Sequence, residues 1–249
     1  MDPALNAVFN EVARHYPGRD LEAMSFALNY HRWIVKEFAP YLRGSVAEVG
    51  AGSGNVSRLL LQTNLNTLHA FEPSDNMFAA LAKALAGDSR ATSINDFFGA
   101  RDGQTFDAIV YINVLEHIER DDVELATAFA ALEPDGHLLL FVPALGWLYS
   151  EHDKEIGHFR RYTKAGLTAL VRAAGFDVVK AKYFDITGIV PWYLNFVLLR
   201  NSIGERSVAI YDNVVVPLMR RVESAIAPPI GKNILLIGRK TERRTAKKL

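Results

Sequence analysis

The sequence predicts an α/β fold built as a doubly wound, seven-stranded, mostly parallel sheet. Two observations carry this. From Val46 onward, short apolar runs alternate with segments whose apolar residues recur every three or four positions, as repeated βα units require. Between the first run and the first such segment lies Gly50-Ala51-Gly52-Ser53-Gly54, three glycines at alternate positions in a strand-to-helix turn. The 249 residues suffice for one domain of this kind with decorations.

The elements follow in order. Strands are expected at 46–50, 67–72, 91–95, 107–112, 137–142, 176–184 and 233–239. Helical patterns fill 54–62, 75–86, 120–132 and 163–174, the last with Thr163 as N-cap and Gly175 as its closing glycine. Before the sheet, residues 20–42 read as a helix in which Ala27, Tyr30, Ile34 and Phe38 share a face and Asp20 caps the start. The chain thus divides into a helical cover (1–43), a core (44–184), a helical insertion (185–231), and a last strand with a basic tail (232–249).

Composition narrows the function classes. Basic and acidic residues balance at 28 each, so no domain-wide field draws in nucleic acid, and none is expected as partner. The absence of cysteine removes disulfides, thiolate nucleophiles and cysteine-based zinc sites. Met1-Asp2-Pro3 opens without a basic-then-apolar leader, which makes the cytoplasm the expected compartment.

The glycine turn identifies a ligand chemistry. A dinucleotide fingerprint is Gly-x-Gly-x-x-Gly with pyrophosphate on the helix N-terminus. Here the pattern is Glu48-x-Gly50-x-Gly52-x-Gly54, with Asn55 where the fingerprint has its last glycine. An acid before the turn repels a pyrophosphate and suits an ammonium-bearing ligand. In Phe71-Glu72-Pro73-Ser74, Glu72 closes the second strand near the offset of a ribose-binding acid. Its carboxylate can accept from both vicinal hydroxyls. NAD enzymes place an acid there too, so an NAD-linked oxidoreductase is the alternative that Glu72 leaves open.

Together these segments resemble the class I S-adenosylmethionine-dependent methyltransferases, over roughly residues 44–180. The resemblance implies a layout in which the last two strands pair, usually through a short turn; here about fifty residues separate them. It implies S-adenosylmethionine as cofactor, with Glu48, Gly50, Gly52 and Gly54 facing its methionine part and Glu72-Pro73 its ribose. At the third strand end, Asp96 or its neighbour Asn95 would meet the adenine. At the fourth, Asn113-Val114-Leu115-Glu116-His117 is similar to the Val-Leu-Glu-His segment of small-molecule methyltransferases, and Asn113 and Val114 would floor the site beside the sulfonium. On the preceding helix, Tyr30 would lie over the methionine end and Arg32 would pair with its carboxylate; the alternative makes Tyr30 and Trp33 core aromatics and leaves Arg32 in solvent.

The acceptor side is expected after the fifth strand, in the segment 143–163. His158, Arg160 and Tyr162 there resemble a His-x-Arg-x-Tyr signature of ubiquinone-type methyltransferases. His152 or His158 is the candidate base, with His117 a second candidate, because an acceptor hydroxyl must lose its proton. Arg160 or Arg161 would orient an anionic group, and Trp147 and Tyr162 would line the pocket; alternatively the segment orders itself, with Asp153 paired to an arginine. His152, Asp153, Glu155 and His158 cluster in sequence, but two histidines six apart share no helix face, so no metal is expected. The apolar stretch 186–199 and a second apolar pattern from Val208 to Met219 read as a lid, as an interfacial element reaching a lipid-linked substrate, or as core and dimer packing; the fourteen residues 186–199, interrupted by Pro191, are too few to span a bilayer. The expected activity is methyl transfer to oxygen or nitrogen of a small-molecule or lipid- or glycan-linked acceptor, or, on the alternative, cofactor binding without turnover.

Overall fold

The computed structural model of the protein describes residues 27–99, 104–199 and 205–241. The expected helix start at Asp20 and the basic tail beyond Thr241 lie outside them. Seven strands make one sheet: β1 Gly44–Val49, β2 Leu65–Phe71, β3 Ala91–Ile94, β4 Phe106–Ile112, β5 Leu132–Pro143, β6 Asp177–Phe184 and β7 Asn233–Arg239. Their spatial order is β3-β2-β1-β4-β5-β7-β6. β1 to β5 are parallel, and β7 runs antiparallel between β5 and β6. The last two strands therefore pair as the sequence implies, with the insertion in place of a short turn.

The helices are α1 Leu28–Phe38, α2 Asn55–Leu60, α3 Asp75–Leu85, α4 Asp121–Ala131, α5 Glu151–Glu155 and α6 Lys164–Ala173. Thr163 Oγ1 accepts from Gly166 N at 3.0 Å, and Gly175 closes α6 at φ 105°, as the cap residues require. The insertion holds α7, Ile189–Trp192 continued by a π-helical Tyr193–Leu198. It also holds α8, Glu205–Ile210 and Val216–Ala225 joined through a π-helical Tyr211–Val215. Among the described residues, no helix is long and apolar enough to cross a membrane.

The sheet is buried on both faces, which is why its central strands read as unbroken apolar runs. Leu139 and Phe141 of β5 pack with Trp33, Ile34 and Phe38 of α1, while Leu138, Leu140 and Val142 pack with Leu125 of α4 and Leu167 of α6. β5 begins at Leu132 rather than at the expected 137. Leu132 pairs with Phe106, and the Pro134-Asp135-Gly136 turn is then looped out before His137 pairs with Ala108. Asp135 takes φ 61° there, and this local kink hides the earlier pairing from a periodicity reading.

Two acids of the insertion hold it in place, one against α1 and one against its own first residues. Asp212 accepts from Asn29 N at 2.9 Å and Tyr30 N at 2.8 Å, satisfying the first-turn donors of α1 from 183 and 182 residues away. Glu223 accepts from Asp185 N and Ile186 N at 3.0 Å each. Replacing Asp212 by alanine leaves two helix donors unmet and should cost about 1–3 kcal/mol. Chemical denaturation of D212A measures this, and an unchanged midpoint would show that the insertion does not hold α1.

Candidate active site

The order of the strands reverses direction at β1 and β4, the place where open α/β sheets of this kind form a ligand crevice beyond the carboxyl ends of the strands. The glycine turn forms its floor. Gly50, Gly52 and Gly54 all have positive φ, at 67°, 56° and 84°. At Gly50 a Cβ would come within 2.6 Å of Val114 Cγ2 on the loop after β4, so a side chain there would be strained and would also clash. The spacing of glycines thus brings bare backbone to the crevice.

Two carboxylates stand behind it. Glu72, buried after β2, accepts from Gly52 N at 2.7 Å and from Ser74 N at 2.9 Å, so it braces the turn and the start of α3 together. Each of its oxygens retains acceptor capacity for a ribose hydroxyl. Glu48 is buried, and its Oε2 meets no hydrogen-bond donor among the described residues. Burial, aided by the neighbouring Glu72 charge, pushes the Glu48 carboxyl up to about 8. A buried carboxylate with one oxygen unpartnered, beside bare backbone, fits an ammonium group, and so fits the amino-acid end of S-adenosylmethionine.

The other expected contacts are less uniform. Pro73 joins Glu72 to the start of α3. At the end of β3, Asn95 Nδ2 donates to Asp75 Oδ1 at 2.9 Å, and Asp96 Oδ1 accepts from Phe97 N at 2.9 Å. Asn95 thereby has a bracing role, and Asp96 stands exposed at the rim. Asn113 leaves β4 at φ 53°, a left-handed geometry that turns the chain into the 3-10 turn Leu115–His117. Tyr30 is fully enclosed: its ring packs edge-on to Trp33, Phe141 and Phe184, and its hydroxyl donates to Asn233 Oδ1 at 3.1 Å. Arg32 lies on the exposed side of α1. The core reading of Tyr30 and the solvent reading of Arg32 replace the cofactor-capping one.

The segment after β5 is organised by Asp153. Its carboxylate, wholly buried, accepts from Ser150 N and Oγ at 2.9 Å each, pairs with His158 Nδ1 at 2.8 Å, and takes the Arg161 guanidinium at 2.8 Å. These cationic and imidazole partners hold Asp153 below the ordinary carboxylate range, against burial, which acts in the opposite direction. Arg161 also lies 4.5 Å over the Trp192 ring of α7. Arg160 pairs with Asp121 at 2.7 Å and donates to Glu119 O at 2.7 Å. Tyr162 donates to Asp121 at 2.9 Å from the buried side. The structure gives Arg160, Arg161 and Tyr162 internal partners, so the expected substrate contacts become a clamp between the loops after β4 and β5. Trp147, by contrast, is 53% exposed and meets Tyr193 of α7 edge-on.

Of the three candidate bases, His152 stacks on Phe196 of α7 at 4.2 Å and is half-buried. Burial, then the neighbouring His158, holds His117 down to about 3, too weak a base for an acceptor hydroxyl. His158 alone has a carboxylate fixing one ring nitrogen and the other turned toward Glu116, whose Oε1 is 3.8 Å from Nε2. Glu116 was absent from the expected site. Its burial in the 3-10 turn and its approach to His158, 42 residues on, follow from Phe159 N donating to Glu116 O at 2.8 Å, a contact no local pattern announces.

Strand order, glycine turn and paired acids define the fold of the class I S-adenosylmethionine-dependent methyltransferases. Residues 17–181 match the family described as a methyltransferase domain, and the chain belongs to it. A methyltransferase of Staphylococcus carnosus described as uncharacterized is 29% identical over 127 residues, which cover 49% of this chain and 58% of that protein. The chain therefore spans little more than half the length of that curated relative. Among solved structures, the partner of the Haloferax volcanii Trm112 methyltransferase activator is 17% identical with a TM-score of 0.62, over 94% of this chain and 98% of that one. The Burkholderia thailandensis 1,6-didemethyltoxoflavin-N1-methyltransferase, with 1,6-didemethyltoxoflavin and S-adenosylhomocysteine bound, is 19% identical with a TM-score of 0.60, over 97% and 92%. The cofactor of the family, S-adenosylmethionine, matches what the crevice is built to hold.

The raised Glu48 has a consequence for the ligand-free protein. Between its ordinary value of 4.5 and about 8, the folded state holds a proton on Glu48 that the unfolded state has released. Stability must therefore fall as pH rises through that window, and be independent of Glu48 below it. E48Q should flatten the slope of unfolding free energy against pH; an unaltered slope would mean that Glu48 is ionised in the apo protein.

Proposed function

We propose that the protein transfers the sulfonium methyl group of S-adenosylmethionine to an oxygen or nitrogen atom of a small or lipid-like acceptor. The observation that carries this reading is the buried Glu48 carboxylate, with its Oε2 unpartnered among the described residues, set behind backbone that admits no side chain. Bound there, S-adenosylmethionine supplies an electrophilic methyl carbon with a good leaving group. Glu48 receives its ammonium, Glu72 its ribose hydroxyls, and Asn113 and Val114 line the crevice beside the reacting end. Asp96, at the rim after β3, is placed for the adenine.

An in-line displacement of this kind needs chiefly that the acceptor be held at the methyl carbon and that water be kept out. The loop after β5 and α7 supply the acceptor wall. Trp147, Tyr193 and Phe159 are 53%, 40% and 49% exposed around it, an aromatic rim suited to a flat or lipid-like group. Val190, Leu194 and Leu198, exposed at spacings of four along α7, extend the apolar surface outward, which supports a lipid-linked acceptor presented at a membrane surface. In the Burkholderia structure the acceptor is likewise a small molecule. The acceptor proton is handled at His158, which Asp153 orients.

Glu72→Ala should weaken S-adenosylmethionine binding by about 1–3 kcal/mol, the cost of unpaired ribose hydroxyls; unchanged affinity would place the ribose elsewhere. With an acceptor found by screening transfer of labelled methyl, H158A should lower turnover by about 10²–10⁴-fold while cofactor affinity holds. Turnover equal to that of the native protein would remove His158 from the chemistry.

A further inference from the structure

We propose that Glu116, His117 and His158 form a binding site for one divalent transition-metal cation. One ligand atom from each of the three lies within 4.8 Å of the other two. The imidazole rings of His117 and His158 are 4.5 Å apart between centroids and nearly perpendicular, so they converge without stacking face to face. Glu116 is fully buried, and neither of its carboxylate oxygens has a hydrogen-bond partner among the described residues. Two unmet acceptors on one buried acid are expensive. The His158 Nε2 to Glu116 Oε1 separation of 3.8 Å is too long for a hydrogen bond, and it leaves room for an ion bridging the two.

The outer contacts are those of metal-bound imidazoles. A ligating histidine commonly donates its other ring N–H to a carboxylate or backbone carbonyl, which fixes the ring and raises its basicity. His158 meets Asp153 Oδ1 through Nδ1 at 2.8 Å, leaving Nε2 facing Glu116. His117 hydrogen-bonds the backbone of Gly157 and Ile156. The backbone holds the two loops in place before any ion arrives, through Phe159 N on Glu116 O at 2.8 Å and His117 N on Val114 O at 2.9 Å. The Arg161 guanidinium is ion-paired with Asp153 rather than with Glu116.

Two imidazoles and one carboxylate select zinc, cobalt, nickel, manganese or iron(II) over magnesium and calcium, which prefer all-oxygen shells. Three protein ligands leave at least one coordination position open, as in catalytic sites. Placed on the loop after β4, next to Val114, that position lies on the acceptor side. On the methyltransferase reading above, the cation would acidify an acceptor hydroxyl held at that position, whose proton would pass to solvent, and His158 would then be a metal ligand in place of a free base. The binding itself does not depend on that reading.

The test uses the full chain, stripped with a chelator, then equilibrated with Co²⁺ or Zn²⁺ and freed of excess metal by gel filtration. Metal analysis should find about one equivalent, and bound Co²⁺ should show the visible absorption of a low-coordinate nitrogen–oxygen site. Glu116→Gln and His117→Ala should each lose that equivalent, while H69A, altered far from the cluster, should retain it. Circular dichroism checks that each variant is folded, and S-adenosylmethionine titration of the same samples reads the cofactor site separately. Cofactor binding without stoichiometric metal, or metal retained equally by folded Glu116→Gln, overturns this proposal and leaves the methyltransferase reading standing. Metal binding without cofactor binding upholds this site and removes that reading.

Discussion

No side-chain atom fits between the end of β1 and the loop that follows β4, and the site is arranged around that constraint. A Cβ on Gly50 would sit 2.6 Å from Val114, in a backbone conformation that side chains rarely adopt. Gly52 offers its amide to Glu72, so the same turn is fastened to the end of β2. Three strand ends are thereby locked together by backbone and one carboxylate. Glu48 is buried within this lock, and burial raises its carboxyl to about 8, at a cost to the ligand-free protein.

On the acceptor side Asp153 has the comparable role. It gathers Ser150, His158 and Arg161, and Arg161 carries the link onward to Trp192 of the insertion. The loop after β5, the His158 ring and the placement of α7 are therefore coupled through one buried carboxylate. The strongly basic residues of the segment stabilise this assembly, and Trp147 and Phe159 stand exposed at its edge.

The parts of the fold legible in the sequence are those governed by contacts close along the chain. Strands buried on both faces announce themselves as apolar runs, Thr163 caps a helix three residues away, and the glycine turn carries its conformation in its composition. The candidate site was legible only in its placement: Glu48, Glu72, Gly50 and Val114 belong to motifs that lie at strand ends. What escaped is long-range. Arg160 and Tyr162 turn inward because Asp121, some forty residues earlier, accepts from both. Asp212 caps α1 from 183 residues away. Glu116 looked like a loop residue until folding placed His158 beside it. A charged side chain in a surface-like segment gives no local sign of whether its partner is a ligand or another part of the chain.

The central claim is that an ionised Glu48 receives the ammonium of S-adenosylmethionine in a crevice that rejects pyrophosphate. Calorimetric titration near pH 7, in two buffers that differ in ionisation enthalpy, with S-adenosylmethionine and NADH in parallel, tests it most directly. S-adenosylmethionine alone should bind, releasing about one proton as Glu48 ionises below its raised value of about 8. NADH binding in its place, or S-adenosylmethionine binding with no proton released, would contradict the account.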